Sequence, residues 1–165
     1  TPLQLAEYCA ALANGGTRHS ASILKSVRSF DYSRQLYEGE TEVLSTVDSA
    51  DYNWAAVQYG MYLFTHDVNS SSYNAYATFS NYSYNGQSIG VAAKSGTAQR
   101  GEGRTNNGIF ICYAPYDDPE IAVAIVVARA QAGSNLIGIA KDVLDSYFAL
   151  STDTSSADHE NTLLQ

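Results

Sequence analysis

The chain has 165 residues, is 45% apolar and 16% charged, and carries a formal charge of −8. That length suits one domain with a real core, and the composition is globular rather than disordered. The acidic balance excludes nucleic-acid binding, which needs a basic stripe to neutralise phosphates.

Thr1 followed by Pro2 is an N-cap with proline at the first helical position. Leu5, Cys9 and Leu12 then recur at helical spacing, and "NGG" (14–16) ends the helix with residues that tolerate positive φ. The chain opens on "TPLQLAEY" with neither a methionine nor a signal peptide, so it is expected to be a processed piece of a longer polypeptide. Ser22–Phe30 predicts a strand and Glu42–Val47 a second, together a β-hairpin with a long polar tip. Asp48 or Ser49 offers a cap for a helix through about Thr65, with Trp54, Val57, Met61 and Phe64 as its apolar face. Residues 66–88 are biased toward Ser, Asn and Tyr and predict a loop with one short helix near 74–79.

The remainder predicts three consecutive strands, 89–98, 109–114 and 121–128, joined by the turns "RGEGRTNNG" and "PYDDPE". Ser134 or Asn135 would cap a final helix whose face is Ile137, Ala140, Leu144, Tyr147 and Phe148. The expected fold is α+β, an antiparallel meander of three C-terminal strands packed by helices. Residues 1–150 form the domain, and residues 151–165 are a polar tail expected to be disordered. The apolar run "IAVAIVVA" (121–128) is a buried strand, too short to span a bilayer, so no transmembrane segment is expected in this piece. Cys9 and Cys112 each lie in an apolar run and read as two buried free thiols rather than a disulfide. His19, His66 and His159 lack metal-ligand spacing, so neither a metal nor another cofactor is expected.

The stretch "VAAKSGTAQR" (91–100) is the chemical signal. In a strand, Ser95 and Thr97 share one face and Lys94 takes the other. Gly96 between the hydroxyls leaves room for another backbone to approach. A peptide added along this strand would meet two hydroxyls suited to a carboxylate, with a lysine supplying positive potential. That pattern suits recognition of a peptide C-terminus.

"KSGTAQ" resembles the Lys-Thr/Ser-Gly motif of penicillin-binding proteins and serine β-lactamases. The resemblance extends to "TPLQLAEYCAALANGGTRH" (1–19), "IFICYAPYDDPEIAVAIVV" (109–127) and "IGIAKDVLDSYF" (137–148), which are similar to class B penicillin-binding proteins, the monofunctional D,D-transpeptidases. It implies a partial β-lactamase/transpeptidase-like fold. It implies that Lys94 holds the hydrogen-bond network beside the S-x-N serine, and that Ser95, Gly96 and Thr97 bind the carboxylate of the stem peptide or of a β-lactam. The backbone N–H of Thr97 would be one of two oxyanion-hole donors. Serine at 95 replaces the commoner threonine and also occurs in β-lactamases.

The family needs a serine with a lysine one helical turn later. Ser22-Ile23-Leu24-Lys25 has the spacing, but the predicted strand would put Ser22 and Lys25 on opposite faces, and the family's motif precedes the "TPLQLA" helix. Ser72-Tyr73-Asn74 and Ser83-Tyr84-Asn85 match S-x-N only by the bias of their segment. The chain is therefore expected to lack the nucleophile and to be inactive alone, its parent being a serine D,D-transpeptidase that cross-links stem peptides. The alternatives are a non-catalytic peptidoglycan-binding module using some of the 13 tyrosines, or a fragment of a serine β-lactamase or D,D-carboxypeptidase. His66-Asp67 reads as a pair of solvated loop residues, and the turn Arg100–Asn107 as either a plain hairpin loop or a rim of the cleft, with no function assigned to it. Implied partners are peptidoglycan stem peptides, β-lactams, the N-terminal part of the same polypeptide and, through exposed apolar surface, a second copy. The implied location is the outer face of the bacterial cytoplasmic membrane, with the parent held by an N-terminal helix, and the resemblance is to the rod-shape rather than the septal subgroup.

Overall fold

The computed structural model describes residues 1–153. Helix α1 (Pro2–Ala13) begins with a capping box: the Thr1 side chain accepts from the Gln4 backbone, and the Gln4 side chain reaches back to the backbone of Thr1. Gly15 and Gly16 then turn the chain at φ of +79° and +103°. Gly16 is doubly constrained, because a Cβ there would stand 2.4 Å from the Trp54 ring.

The following arm departs from the expected hairpin. Strand β1 (Thr17–His19) pairs antiparallel with β4 (Val43–Thr46), while β2 (Ser26–Arg28) pairs with β3 (Gln35–Glu38) in a separate two-stranded ribbon. The glycine turn sets this register: Gly16 O accepts from Val47 N–H at 3.0 Å, which draws the strand immediately after the turn onto β4. Residues 22–25 are not a strand. Ile23 is 103% exposed and Leu24 51%, so no sheet face is available to bury their side chains.

Helix α2 (Asp51–His66) starts at Ala50 without a side-chain cap, so neither Asp48 nor Ser49 plays that part. Met61, Phe64 and Thr65 are buried, whereas Val57 is 45% exposed and only half of the expected face turns inward. Helix α3 (Tyr73–Phe79) is capped by Ser72 Oγ, which accepts from Ala75 N–H. Next comes a small hairpin, β5 (Ser83–Tyr84) and β6 (Gln87–Ser88), around Asn85-Gly86, both at positive φ.

The meander is present as β7 (Ala92–Ala98), β8 (Asn107–Ala114) and β9 (Ile121–Val127), in spatial order β7-β8-β9. Residues 89–91 precede the ladder rather than joining it. A 3-10 turn at Gly133–Leu136 leads into α4 (Ile137–Asp153). Ala132 is the N-cap of that turn, and Asn135 instead donates its side-chain N–H to the Ala130 carbonyl at 2.7 Å. The expectation for the tail beyond Asp153 lies outside the described residues.

Alternation along the sheet builds two cores. On one face Ala93, Phe110, Cys112 and Val123 pack against Phe79 of α3 and against Ile137, Ala140, Leu144 and Phe148 of α4. On the other, Ala92, Ile111 and Tyr113 meet Cys9 of α1 and Met61 of α2. Both cysteines are free, and Cys9 donates its thiol to the Cys112 carbonyl at 3.3 Å. Among the described residues no helix is long and apolar enough to cross a membrane.

Candidate active site

β7 is an edge strand: β8 covers one side, and no strand among the described residues pairs with the other. The register sets Lys94 opposite Ile111, Ser95 opposite Phe110, Gly96 opposite Ile109 and Thr97 opposite Gly108. In an antiparallel pair the N–H and C=O of one residue point to the same side, and successive residues alternate.

Two contacts show which residues face the open edge. Thr65 Oγ1 of α2 donates to the Val91 carbonyl, and Lys94 Nζ donates to the Ser95 carbonyl at 2.8 Å. Both acceptors are odd-numbered, so by the same alternation the N–H and C=O of Thr97 face the open edge. An incoming strand, or an oxyanion beside it, would meet that N–H unpaired.

Lys94 is exposed, and its ammonium lies over the Phe64 ring at 5.2 Å from the centroid. Ser95 is half-buried, and its hydroxyl has no hydrogen-bond partner among the described residues. Thr97 Oγ1 accepts from Gly133 N–H at 3.4 Å. A Cβ on Gly96 would touch Ile109 Cβ at an ordinary 3.5 Å. The close backbone approach expected at Gly96 comes from the other partner, because a Cβ on Gly133 would stand 2.4 Å from Gly96 O and 2.2 Å from Ile109 O. Gly133 was not singled out in the sequence, where only its position ahead of a helix marked it.

The competing motifs take other roles. Ser22 sits in an irregular segment, its Oγ donating to the Leu24 carbonyl at 3.1 Å, so there is no helical turn to carry S-x-x-K chemistry. Residues 22–25 form no strand, so Ser22 and Lys25 do not stand on opposite sheet faces as expected; they lack a helix as well. Ser72 caps α3, and Ser83 lies in the β5–β6 hairpin. His66 is not a solvated loop residue: it ends α2, half-buried, with its ring stacked 3.8 Å from that of Tyr62. Its Nδ1 lies 2.8 Å from Thr65 Oγ1, while Asp67 Oδ1 accepts from Asn69 N–H at 2.8 Å. Ser70 donates its backbone N–H to the Asp67 carbonyl at 2.9 Å, and among the described residues no serine hydroxyl bonds to the His66 ring or the Asp67 carboxylate.

A cavity of about 700 Å³ lies away from β7, between the end of α1, β4 and the start of α2, with Asp48, Trp54 and Gln58 in its lining. It contains none of the motif residues, so the chemistry points to the strand edge instead.

Comparison with known proteins follows the same line. The model of the penicillin binding protein transpeptidase domain matches residues 1–145. Penicillin-binding protein 2B of Streptococcus pneumoniae serotype 2 (strain D39) is 31% identical over 160 residues, covering 89% of this chain and 22% of its own length. Peptidoglycan D,D-transpeptidase MrdA of Haemophilus influenzae is 29% identical over 162 residues, with coverages of 89% and 23%. Among solved structures, penicillin-binding protein 2B from Streptococcus pneumoniae (strain R6) superposes with a TM-score of 0.74 at 25% identity, covering 91% of this chain and 25% of that one. The chain thus spans 22–23% of the length of these two curated relatives.

Proposed function

The chain belongs to the penicillin-binding protein transpeptidase domain family, and we propose that it supplies one wall of a D,D-transpeptidase active site whose nucleophile lies elsewhere in a longer polypeptide. The observation that carries this is the open edge of β7, where the Thr97 N–H and the Ser95 hydroxyl stand without partners on one short strand.

In this reading a stem peptide, or a β-lactam in its place, lies along β7. Ser95 and Thr97 hold its terminal carboxylate, Gly96 keeps the strand between them low, and Lys94 holds the hydrogen-bond network with its positive charge. The Thr97 N–H supports the oxyanion that forms when a serine attacks the D-Ala–D-Ala carbonyl. D-Alanine leaves with the proton returned to its amine, and an amine of a neighbouring stem peptide then takes the acyl group. Residues 1–150 form this part of the domain, which by itself lacks a competent serine–lysine pair and is inactive. The parent acts outside the cytoplasmic membrane, held by a helix outside this chain.

Exposed apolar side chains on the β1–β4 arm, among them Ile23, Phe30, Leu36 and Val43, support a further contact with the rest of the polypeptide or with a second copy.

The test is acylation by benzylpenicillin of the longer polypeptide carrying this domain together with an S-x-x-K serine. Ser95→Ala should lower the second-order rate by roughly 10- to 100-fold, the worth of a hydrogen bond to a charged group. Equal rates for Ser95→Ala and the unaltered protein would remove Ser95 from the site.

A further inference from the structure

Positive charge is scarce in this chain, with nine Lys and Arg against 17 Asp and Glu. Three of those cations, Arg100, Arg104 and Arg129, gather at one end of the β7-β8-β9 sheet. The register shows it: Ala98 faces Asn107 and Gly108 faces Val127, so the turn 99–106 and the segment after Val127 close the same end. The two are stapled together. Asn107 Oδ1 accepts from Arg129 N–H at 3.1 Å, and the Asn106 carbonyl accepts from Gln131 N–H at 3.1 Å. The opposite end, between Ala114 and Ile121, carries Asp117, Asp118 and Glu120 and no cation. The sheet is therefore polarised along its strands, with Glu102 the single acid at the arginine end.

Two further observations distinguish this end from an ordinary solvated turn. All three arginines are exposed, and the ion pairs among the described residues, Arg18–Glu7 and Lys141–Asp145, use none of them. Arg129 and Gln131 also hold φ of +61° and +69°, a region that side chains other than glycine occupy at a cost.

Direction along β7 then matters. With a terminal carboxylate at Ser95 and the scissile carbonyl at Thr97, the preceding residues of a bound peptide run past Ala98 toward Arg100. An extended chain advances about 3.3 Å per residue. One or two residues upstream of the scissile bond bring a side chain to the arginine end.

We propose that Arg100, Arg104 and Arg129 form an anion-reading rim that favours donor peptides and β-lactams bearing a second carboxylate upstream of the scissile carbonyl. The proposal rests on the transpeptidase reading of β7. Guanidinium groups suit a planar carboxylate through paired N–H donors, and as exposed groups they act modestly and weaken with salt.

The experiment compares acylation by carbenicillin, which carries a second carboxylate on its side chain, with acylation by benzylpenicillin, which does not. It uses the longer polypeptide, and the readout is the ratio of the two second-order rates. The triple variant Arg100→Ala, Arg104→Ala, Arg129→Ala should lower that ratio about three- to ten-fold, as expected for a few exposed charge pairs. The corresponding triple Lys variant should keep it within about two-fold, and raised salt should lower it for the unaltered protein. A ratio unmoved by the alanine variant overturns the rim while leaving the site intact. Failure of both drugs to acylate the unaltered protein overturns the transpeptidase reading, and the rim with it, whereas failure of carbenicillin alone overturns only the rim.

Discussion

Gly133 lies against the backbone of Gly96: a Cβ on Gly133 would stand 2.4 Å from Gly96 O and 2.8 Å from Gly96 N. The Gly133 N–H also meets Thr97 Oγ1 at 3.4 Å. The turn that starts α4 is thus seated on the back of the strand that carries the candidate site.

Gly133→Ala should therefore destabilise the chain by about 1–3 kcal/mol, as overpacking at a tight contact does. Its neighbours at that point are backbone atoms of β7 and β8, which cannot swing aside. Denaturant unfolding measures the loss, and a midpoint equal to that of the unaltered protein would show that the contact is looser than described.

Thr65 ties α2 to Val91, the residue immediately before β7. Its hydroxyl donates to the Val91 carbonyl, and the residue is fully buried. Thr65→Val keeps the shape and removes the donor, leaving a buried carbonyl unpaired at a cost of about 1–3 kcal/mol. Thr65→Ser, which retains the hydroxyl, should recover part of that loss in the same unfolding measurement.

Burial of His66 at the end of α2 pushes its pKa below the ordinary value of 6.5, against a smaller opposing effect of the Tyr62 carbonyl. The unfolded chain therefore binds the proton more readily than the folded one. Stability should rise with pH between the lowered folded value and 6.5, and below that window, where both states are protonated, it should stay at its lower level. His66→Gln should flatten this segment of the stability–pH curve. NMR titration of the ring should give a midpoint below 6.5 in the folded protein.

Burial pushes the Cys9 thiol up to about 12 and raises that of Cys112 further, with the neighbouring Cys9 adding to the effect. The thiolate is the reactive form, so neither residue should be modified by a disulfide reagent at pH 8 in the native state. Both should react on unfolding in denaturant. Rapid native-state labelling of either would contradict their placement in the two cores.

Much of the C-terminal half was legible because its signals are local and strong. The meander came from three apolar runs with turn residues between them, and α1 from Thr1-Pro2 and the glycine pair. The arm was not legible: the partner of β4 depends on the Gly16–Val47 hydrogen bond, a contact across the turn that no periodicity records. The β5–β6 hairpin carried a readable Asn85-Gly86 signal that the Ser/Tyr/Asn bias obscured. At the candidate site, the motif is what singles out Lys94, Ser95, Gly96 and Thr97. Gly133 and Thr65 were missed, because a tertiary approach of backbones has no sequence pattern. In the sequence the Arg100–Asn107 turn fits a plain loop or a cleft rim equally, since only the register unites Arg100 and Arg104 with Arg129.

We expect these residues to form a substrate-binding wall without a nucleophile. Intact mass after incubation with excess benzylpenicillin tests it most directly. This chain should keep its mass unchanged, while the longer polypeptide should gain one penicilloyl group. A stoichiometric penicilloyl adduct on this chain alone would contradict the account and turn attention to Ser22.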